Sequence, residues 1–174
     1  KLFFTLAGVG FCAASGAVVN HLVDRYRDTL MQRTKRRPVA AGRVSNEQAF
    51  AFSVVLLVAG LSILLWQVNL LTAVLSFASM FGYGVVYSLW LKTATPQNIT
   101  IGGLAGAMPP LLGYTAVTNM VGPEALLWVL IIFTWTPPHF WALAIYKRDD
   151  YATAEVPMLP VTHGIGFTAF HSWL

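Results

Sequence analysis

Apolar residues in this chain run in five stretches, each close to the roughly 20 residues that carry a helix across a bilayer. They cover residues 2–23, 49–68, 70–91, 99–118 and 125–146, and a sixth opens near residue 165. The pattern predicts an all-α fold, a polytopic transmembrane helix bundle making a single domain over residues 1–174. No soluble domain or low-complexity linker interrupts it. Lys1 followed by an apolar run to Val19 has the outline of a signal peptide, but further spans follow, so the segment reads as a transmembrane helix. The chain opens already entering an apolar run and stops at Leu174 inside another, so the expectation is a longer protein, incomplete here at both ends.

Composition agrees with lipid as the main solvent. The chain is 56% hydrophobic and 10% charged, where a soluble domain carries about a quarter charged residues. Its one cysteine, Cys12, excludes an intrachain disulfide. No Cys/His cluster has the spacing of a structural zinc site, and no nucleic-acid partner is expected.

Charge then fixes the sides. If the loops alternate across the membrane, residues 25–43, Lys92 and Lys147–Arg148 share one side, while the loops around 67–69 and 119–123 hold neither Lys nor Arg. Excess Lys and Arg marks the cytoplasmic side. Topological sorting accounts for the bases but not for the acids. Asp24, Asp28, Glu47, Asp149, Asp150 and Glu155 gather on that same side, near helix ends, and only Glu124 lies opposite.

The first acidic segment reads N-H-L-V-D-R-Y-R-D from Asn20 to Asp28. Residues four apart on a helix drift by only about 40°, so Asn20, Asp24 and Asp28 form one stripe that rises about 6 Å per step. Ala13, Gly16 and Ala17 continue it inward and leave room for a neighbouring helix or an apolar tail. Two carboxylates and an amide oxygen suit Mg²⁺, whose protein sites supply one or two carboxylates and leave the rest to water and phosphate. The following M-Q-R-T-K-R-R-P, with Arg33 and Arg37, has the guanidinium forks that grip phosphate oxygens. Ordinary local ion pairs, such as Asp24 with Arg25 or Arg27, explain the same spacing; the position of the stripe at the bilayer favours a ligand.

The second segment, K-R-D-D-Y-A-T-A-E, again closes a span. Asp150, Tyr146, Leu143 and His139 share a helix face, with His139 about 16 Å deeper. Pro137 and Pro138 before it each remove a backbone donor, freeing the carbonyls of Phe133 and Thr134 and predicting a kink. His139 either meets a polar or metal-bearing ligand or hydrogen-bonds to a freed carbonyl or a neighbouring helix. Asp149 and Asp150, being adjacent, point about 100° apart. The G-x-x-x-G of Gly102–Gly106 reads as close helix contact, and Trp66, Tyr87, Trp90 and Trp128 read as interface aromatics.

These residues resemble a known family. Asn20, Asp24 and Asp28 match the N-x-x-x-D-x-x-x-D of the intramembrane aromatic prenyltransferases typified by the ubiquinone-pathway enzyme. Further segments are similar to one branch, the protoheme IX farnesyltransferases or heme O synthases. They are M-x-R-T-x-x-R-P (31–38), L-K-T-x-T-P-Q-N-I (91–99), G-G-x-x-G-A-x-P-P (102–110), T-P-P-H-F-W-A-L-A (136–144) and D-D-Y-x-x-A-x-V-P-M-L-P-V (149–161).

The resemblance implies a nine-helix bundle with its site on the cytoplasmic or matrix side, of which this chain would lack the first helix and about the last two. It implies that farnesyl diphosphate ionises with Mg²⁺ and that a vinyl group of protoheme IX, heme being the second substrate, attacks the allylic cation. Water addition then leaves heme O and diphosphate. Asn20, Asp24 and Asp28 would hold the metal–diphosphate, with Asp150 as a further metal ligand. Asp24, Asp28, Asp149 and Asp150 would be the catalytic acids, Arg33, Arg37 and Lys92 phosphate contacts, and His139 a heme contact. Glu155 departs from the pattern, which has a small residue there, often Gly.

The resemblance also implies a bacterial inner membrane (or the mitochondrial inner membrane), with heme-handling or terminal-oxidase assembly proteins as partners. A sister enzyme acting on a quinone or chlorophyll precursor would keep the aspartates without needing P-P-H-F-W. A transporter fragment would put its ionisable groups near the midplane, and a cofactor-free structural subunit has no use for two acidic segments on one side.

Overall fold

The computed structural model describes residues 1–173. Its helices are α1 (Leu2–Val23), α2 (Arg25–Leu30), α3 (Asn46–Gln67), α4 (Leu70–Phe81), α5 (Lys92–Ala94), α6 (Asn98–Gly106), α7 (Pro109–Thr118), α8 (Pro123–Tyr146), α9 (Arg148–Thr153), α10 (Leu159–Thr162) and α11 (Ile165–Trp173). A π-helical stretch, Gly82–Leu91, joins α4 to α5 without a break. Among the described residues four helices are long and apolar enough to cross a membrane: α1, α3, the continuous Leu70–Ala94 and α8.

Helices α4 and α7 run antiparallel, whereas α1 and the continuous Leu70–Ala94 helix run parallel, as their end contacts show. At one end Asn69 Nδ2 donates to the Thr115 carbonyl at 2.8 Å and the Thr72 and Thr115 hydroxyls meet at 3.0 Å. At the other end Lys92 meets Asp24. Small residues bring α1 and α3 together: a Cβ on Gly60 would stand 2.8 Å from the Gly8 carbonyl oxygen and 2.9 Å from Cys12 Sγ. Close backbone approach of this kind replaces the hydrophobic driving force that lipid removes. Ser45 starts α3 with a capping box, accepting from Gln48 N–H at 3.1 Å while Gln48 Oε1 accepts from Ser45 N–H at 3.0 Å. Leu65, Trp66, Leu126, Leu127, Leu130 and Ile131 stay exposed on the outer surface, as side chains facing acyl chains do.

The fourth apolar stretch is not one helix. It divides between Gly106 and Pro109, because Pro109 and Pro110 have no N–H to offer the carbonyls of Ala105 and Gly106. Prolines fit the first turn of a new helix, where the missing donors cost nothing. Pro137 and Pro138, by contrast, stand inside an uninterrupted α8. There Thr134 and Thr136 donate their hydroxyls one turn back, to Leu130 O (2.8 Å) and Ile132 O (2.7 Å), a pattern that bends helices without ending them.

The structure explains the unusual Glu155. Val156 N–H donates to Tyr151 O at 3.0 Å and Glu155 N–H to Ala152 O at 3.1 Å, with Glu155 at φ 54°. This pair of bonds is a Schellman motif, and Glu155 stands at its left-handed position, where glycine normally ends a helix. The side chain is exposed, so the charge is not part of the core. Glu155→Gly relieves about 1–2 kcal/mol of left-handed strain against about 0.5–1 kcal/mol of added backbone entropy. We expect a melting temperature equal to or slightly above that of the wild type, measured in nanodiscs; a clear fall would mean that the carboxylate has a partner.

Candidate active site

Helix α1 ends at Val23, and Asp24 turns the chain at φ −84°, ψ 0° into α2. The helical register nonetheless continues, because Asp24 N–H donates to Asn20 O (2.9 Å) and Asp28 N–H to Asp24 O (2.8 Å). Asn20, Asp24 and Asp28 therefore stay on one line, and all are buried, at 7%, 1% and 3% exposure. Asn20 Nδ2 donates both to Asp24 Oδ2 (2.9 Å) and to Ser88 Oγ (3.0 Å). That ties α1 to the π-helical stretch.

Each buried carboxylate has its cation. Lys92 Nζ lies 2.5 Å from Asp24 Oδ2, and Arg27 Nη1 lies 3.6 Å from Oδ1. Arg37 Nη1 donates to both oxygens of Asp28, at 2.9 and 3.1 Å. Without such partners, carboxylates this buried would cost several kcal/mol each. The pairing is incomplete in one respect: Asp24 Oδ1 is buried and accepts no hydrogen bond.

Asp28, Arg37 and Lys92 stand at the mouth of a cavity of about 550 Å³, to which Asp24 is joined through Lys92. Asn20, Asp28, Arg33, Arg37 and Lys92 line its polar end; Gly16, Met80 and Ala105 line its middle, and Val9, Ser76 and Leu112 its inner end. From Asn20 to Val9 along α1 the depth is about 16 Å. The π-helical winding shapes one wall. Such winding is uncommon and recurs at functional sites; here Ser88 turns to Asn20, while Tyr83 and Tyr87, stacked 5.7 Å apart and 9° from parallel, line the cavity below the mouth. Tyr151 and Met158 cover the mouth from α9 and the segment after it, in one apolar cluster with Met31, Ile99 and Ala144.

The structure thus brings together Asn20, Asp24, Asp28, Arg33, Arg37 and Lys92 from the expected set. It does not bring Asp149, Asp150 or His139 to the cavity. Asp149 is fully exposed, at 100%, and Asp150 half-buried; on α9 the inward direction belongs to Tyr151, about 100° further round the helix than Asp150. His139 is exposed and stacks on Trp135, with ring centres 5.6 Å apart, while Thr136 and Phe140 take the cavity side of α8. Of the small residues under the stripe, Ala13 and Gly16 line the cavity and Ala17 is exposed outside it.

Three contributors escaped the sequence reading, Ser88, Tyr83 and Tyr151, while Arg27 forms the local ion pair with Asp24 that its spacing offered. Tyr87 was assigned to the membrane interface and instead lines the cavity, its ring filling the space that a side chain on Gly102 would need. A signal for Ser88 and Lys92 was present in their four-residue spacing toward the loop, but nothing marked the partner helix.

Among the described residues no group of three or more His, Cys, Asp or Glu side chains is arranged for a metal. An all-protein metal cage is therefore a poor fit. Mg²⁺ held beside a phosphate is a good one, since it needs one or two carboxylates, and the orphan oxygen of Asp24 offers a free coordination position.

Comparison with known proteins bears on the fold and the family. A protoheme IX farnesyltransferase of Legionella pneumophila (strain Corby) is 63% identical over 171 residues, covering 98% of this chain and 58% of the relative. One from Marinobacter nauticus is 59% identical over 170 residues, covering 98% and 56%. The chain thus spans a little over half the length of these relatives. A solved UbiA homolog from Archaeoglobus fulgidus, bound to DMAPP and Mg²⁺, superposes with a TM-score of 0.75 at 17% identity, over 98% of this chain and 60% of that one. The bundle is that of an integral membrane protein, and the sequence profile of one family matches it from residue 1 to residue 174. The chain belongs to the UbiA prenyltransferase family.

Proposed function

We propose that this chain carries the donor site of an enzyme that transfers farnesyl from farnesyl diphosphate to a vinyl group of protoheme IX, water then adding to the resulting cation to give heme O, with diphosphate as the leaving group. The observation that carries the proposal is the continuity of the cavity, from a mouth of paired carboxylates and cations into a mostly apolar interior, about 16 Å in all from Asn20 to Val9. A lipid diphosphate has that same division of polarity. The names borne by the bacterial relatives supply the acceptor.

Arg33, Arg37 and Lys92 bind the diphosphate oxygens. Lys92 and Arg37, which pair with Asp24 and Asp28 here, would be shared with the phosphate oxygens, and Asn20, Asp24 and Asp28 would hold Mg²⁺. Bound Mg²⁺ supplies the positive charge that makes diphosphate a good leaving group. Tyr83 and Tyr87 lie beside the carbon that becomes cationic, where aromatic faces stabilise positive charge by about 0.5–2 kcal/mol. The apolar cover of Met31, Ile99, Tyr151 and Met158 keeps water from that carbon until the vinyl group attacks. Asp149 and Asp150 join the site if α9 turns inward on substrate, and His139 is assigned to the heme from outside the donor cavity. We assign the enzyme to a bacterial inner membrane, with the basic loops cytoplasmic.

The test is to incubate membranes holding the full-length protein with protoheme IX, farnesyl diphosphate and Mg²⁺, and to read the products by mass spectrometry. We expect heme O. Prenylation of an added quinone precursor with no heme O would replace this reading with that of a sister enzyme, and no prenyl transfer at all would end both.

A further inference from the structure

We propose that Gly106 and Leu112 set the length of the prenyl chain this cavity accepts, with the open space at Gly106 reserved for the third isoprene unit. The inference rests on the reading of the cavity as a prenyl-diphosphate site. Ile99, Gly102, Gly103 and Gly106 all line it, and their spacing puts them on one face of α6. Two of the three glycines admit a neighbour: a Cβ on Gly102 would stand 2.5 Å from the Tyr87 ring, and one on Gly103 would stand 2.9 Å from Thr136 Cγ2. Gly106 is different. A Cβ there meets nothing within 4 Å, and Gly106 lines the cavity, so its missing side chain leaves open space at that wall.

Length makes this space a specificity device. Gly106 lies about 10 Å deeper than Ile99, and the whole cavity about 16 Å deep from Asn20 to Val9. An extended farnesyl backbone, with bonds of about 1.5 Å shortened by the zigzag, reaches about 14 Å. Its third unit then begins level with Gly106. A geranylgeranyl chain would need about 19 Å and would run into the floor, where Leu112 is buried.

The experiment measures binding rather than turnover. Full-length protein in nanodiscs with Mg²⁺ is titrated with non-hydrolysable thiolodiphosphate analogues of geranyl, farnesyl and geranylgeranyl chains. The wild type should prefer farnesyl. Gly106→Leu should raise the affinity ratio of geranyl to farnesyl by at least tenfold, and Leu112→Ala should raise the ratio of geranylgeranyl to farnesyl by a similar factor. Ratios are read on whatever fraction folds, and the two variants act from opposite walls, so loss of one still leaves the other. Unchanged ratios in the variant or variants that fold would overturn the proposal. The underlying reading fails separately, if the wild type binds none of the three analogues.

Discussion

Asp24→Asn should lower farnesyl transfer by about a hundredfold or more at saturating substrates, and Asp28→Asn by a comparable factor. A charge-stabilising group removed from such a site typically costs about 3 kcal/mol of barrier, which is about a hundredfold in rate. The geometry separates this from simple loss of fold. Asp24 is nearly inaccessible and paired to Lys92, and neutralising it strands a cation that is itself only 17% exposed. Breaking one side of a buried pair destabilises by about 3–5 kcal/mol, whereas removing both sides is close to neutral. Asp24→Asn combined with Lys92→Met should therefore recover most of the melting temperature and none of the turnover. The single variants should also need much more Mg²⁺ for half-maximal rate. If both retain near-normal turnover in the membrane assay, the carboxylates belong to a structural pair and the metal lies elsewhere.

The stripe of Asn20, Asp24 and Asp28 was legible in the sequence because its information is periodic, and the structure keeps the helical hydrogen bonds through the bend that could have scrambled it. Local chemistry was legible for the same reason in the apolar stretches. What escaped was tertiary. Lys92 reaches Asp24 across 68 residues, and only a family resemblance selected it from the basic residues on that side. The two tyrosines of the cavity wall depend on π-helical winding, which no spacing rule anticipates: Tyr87 reads as an interface aromatic and Tyr83 is not singled out. Glu155 shows the reverse case: the sequence marked the position as anomalous, and a left-handed backbone angle shows why the family has a small residue there. In the second acidic segment periodicity could say that Asp149 and Asp150 diverge, but not which direction faces inward. Tyr151 holds that direction, because its neighbours Val156 and Met158 bury with it against Ile99 and Ala144.

Arg37→Ala should cost far more than Arg33→Ala, although the two arginines stand four residues apart in the same basic loop and both line the cavity mouth. Arg33 is exposed and forms no ion pair among the described residues. Its removal takes away ground-state binding of phosphate alone. The KM for farnesyl diphosphate should rise about tenfold, which corresponds to about 1.4 kcal/mol, with kcat within about twofold and the KM for heme unchanged.

Arg37 has two tasks. It binds phosphate and it neutralises Asp28, to which it donates both of its short bonds. Arg37→Ala leaves a carboxylate of 3% exposure uncompensated, so kcat should fall together with the rise in KM, and kcat/KM by about a hundredfold or more. Thermal stability should fall as well. Arg37→Lys keeps the charge but not the fork, and should recover stability more fully than KM, because a lysine ammonium is a point charge where guanidinium binds oxygens in pairs. Steady-state kinetics on both substrates, with melting curves for each variant, read all of these. Equal losses in the two arginine variants, or a rise in the KM for heme as large as that for farnesyl diphosphate, would mean that the loop itself is disturbed and that neither side chain meets the diphosphate.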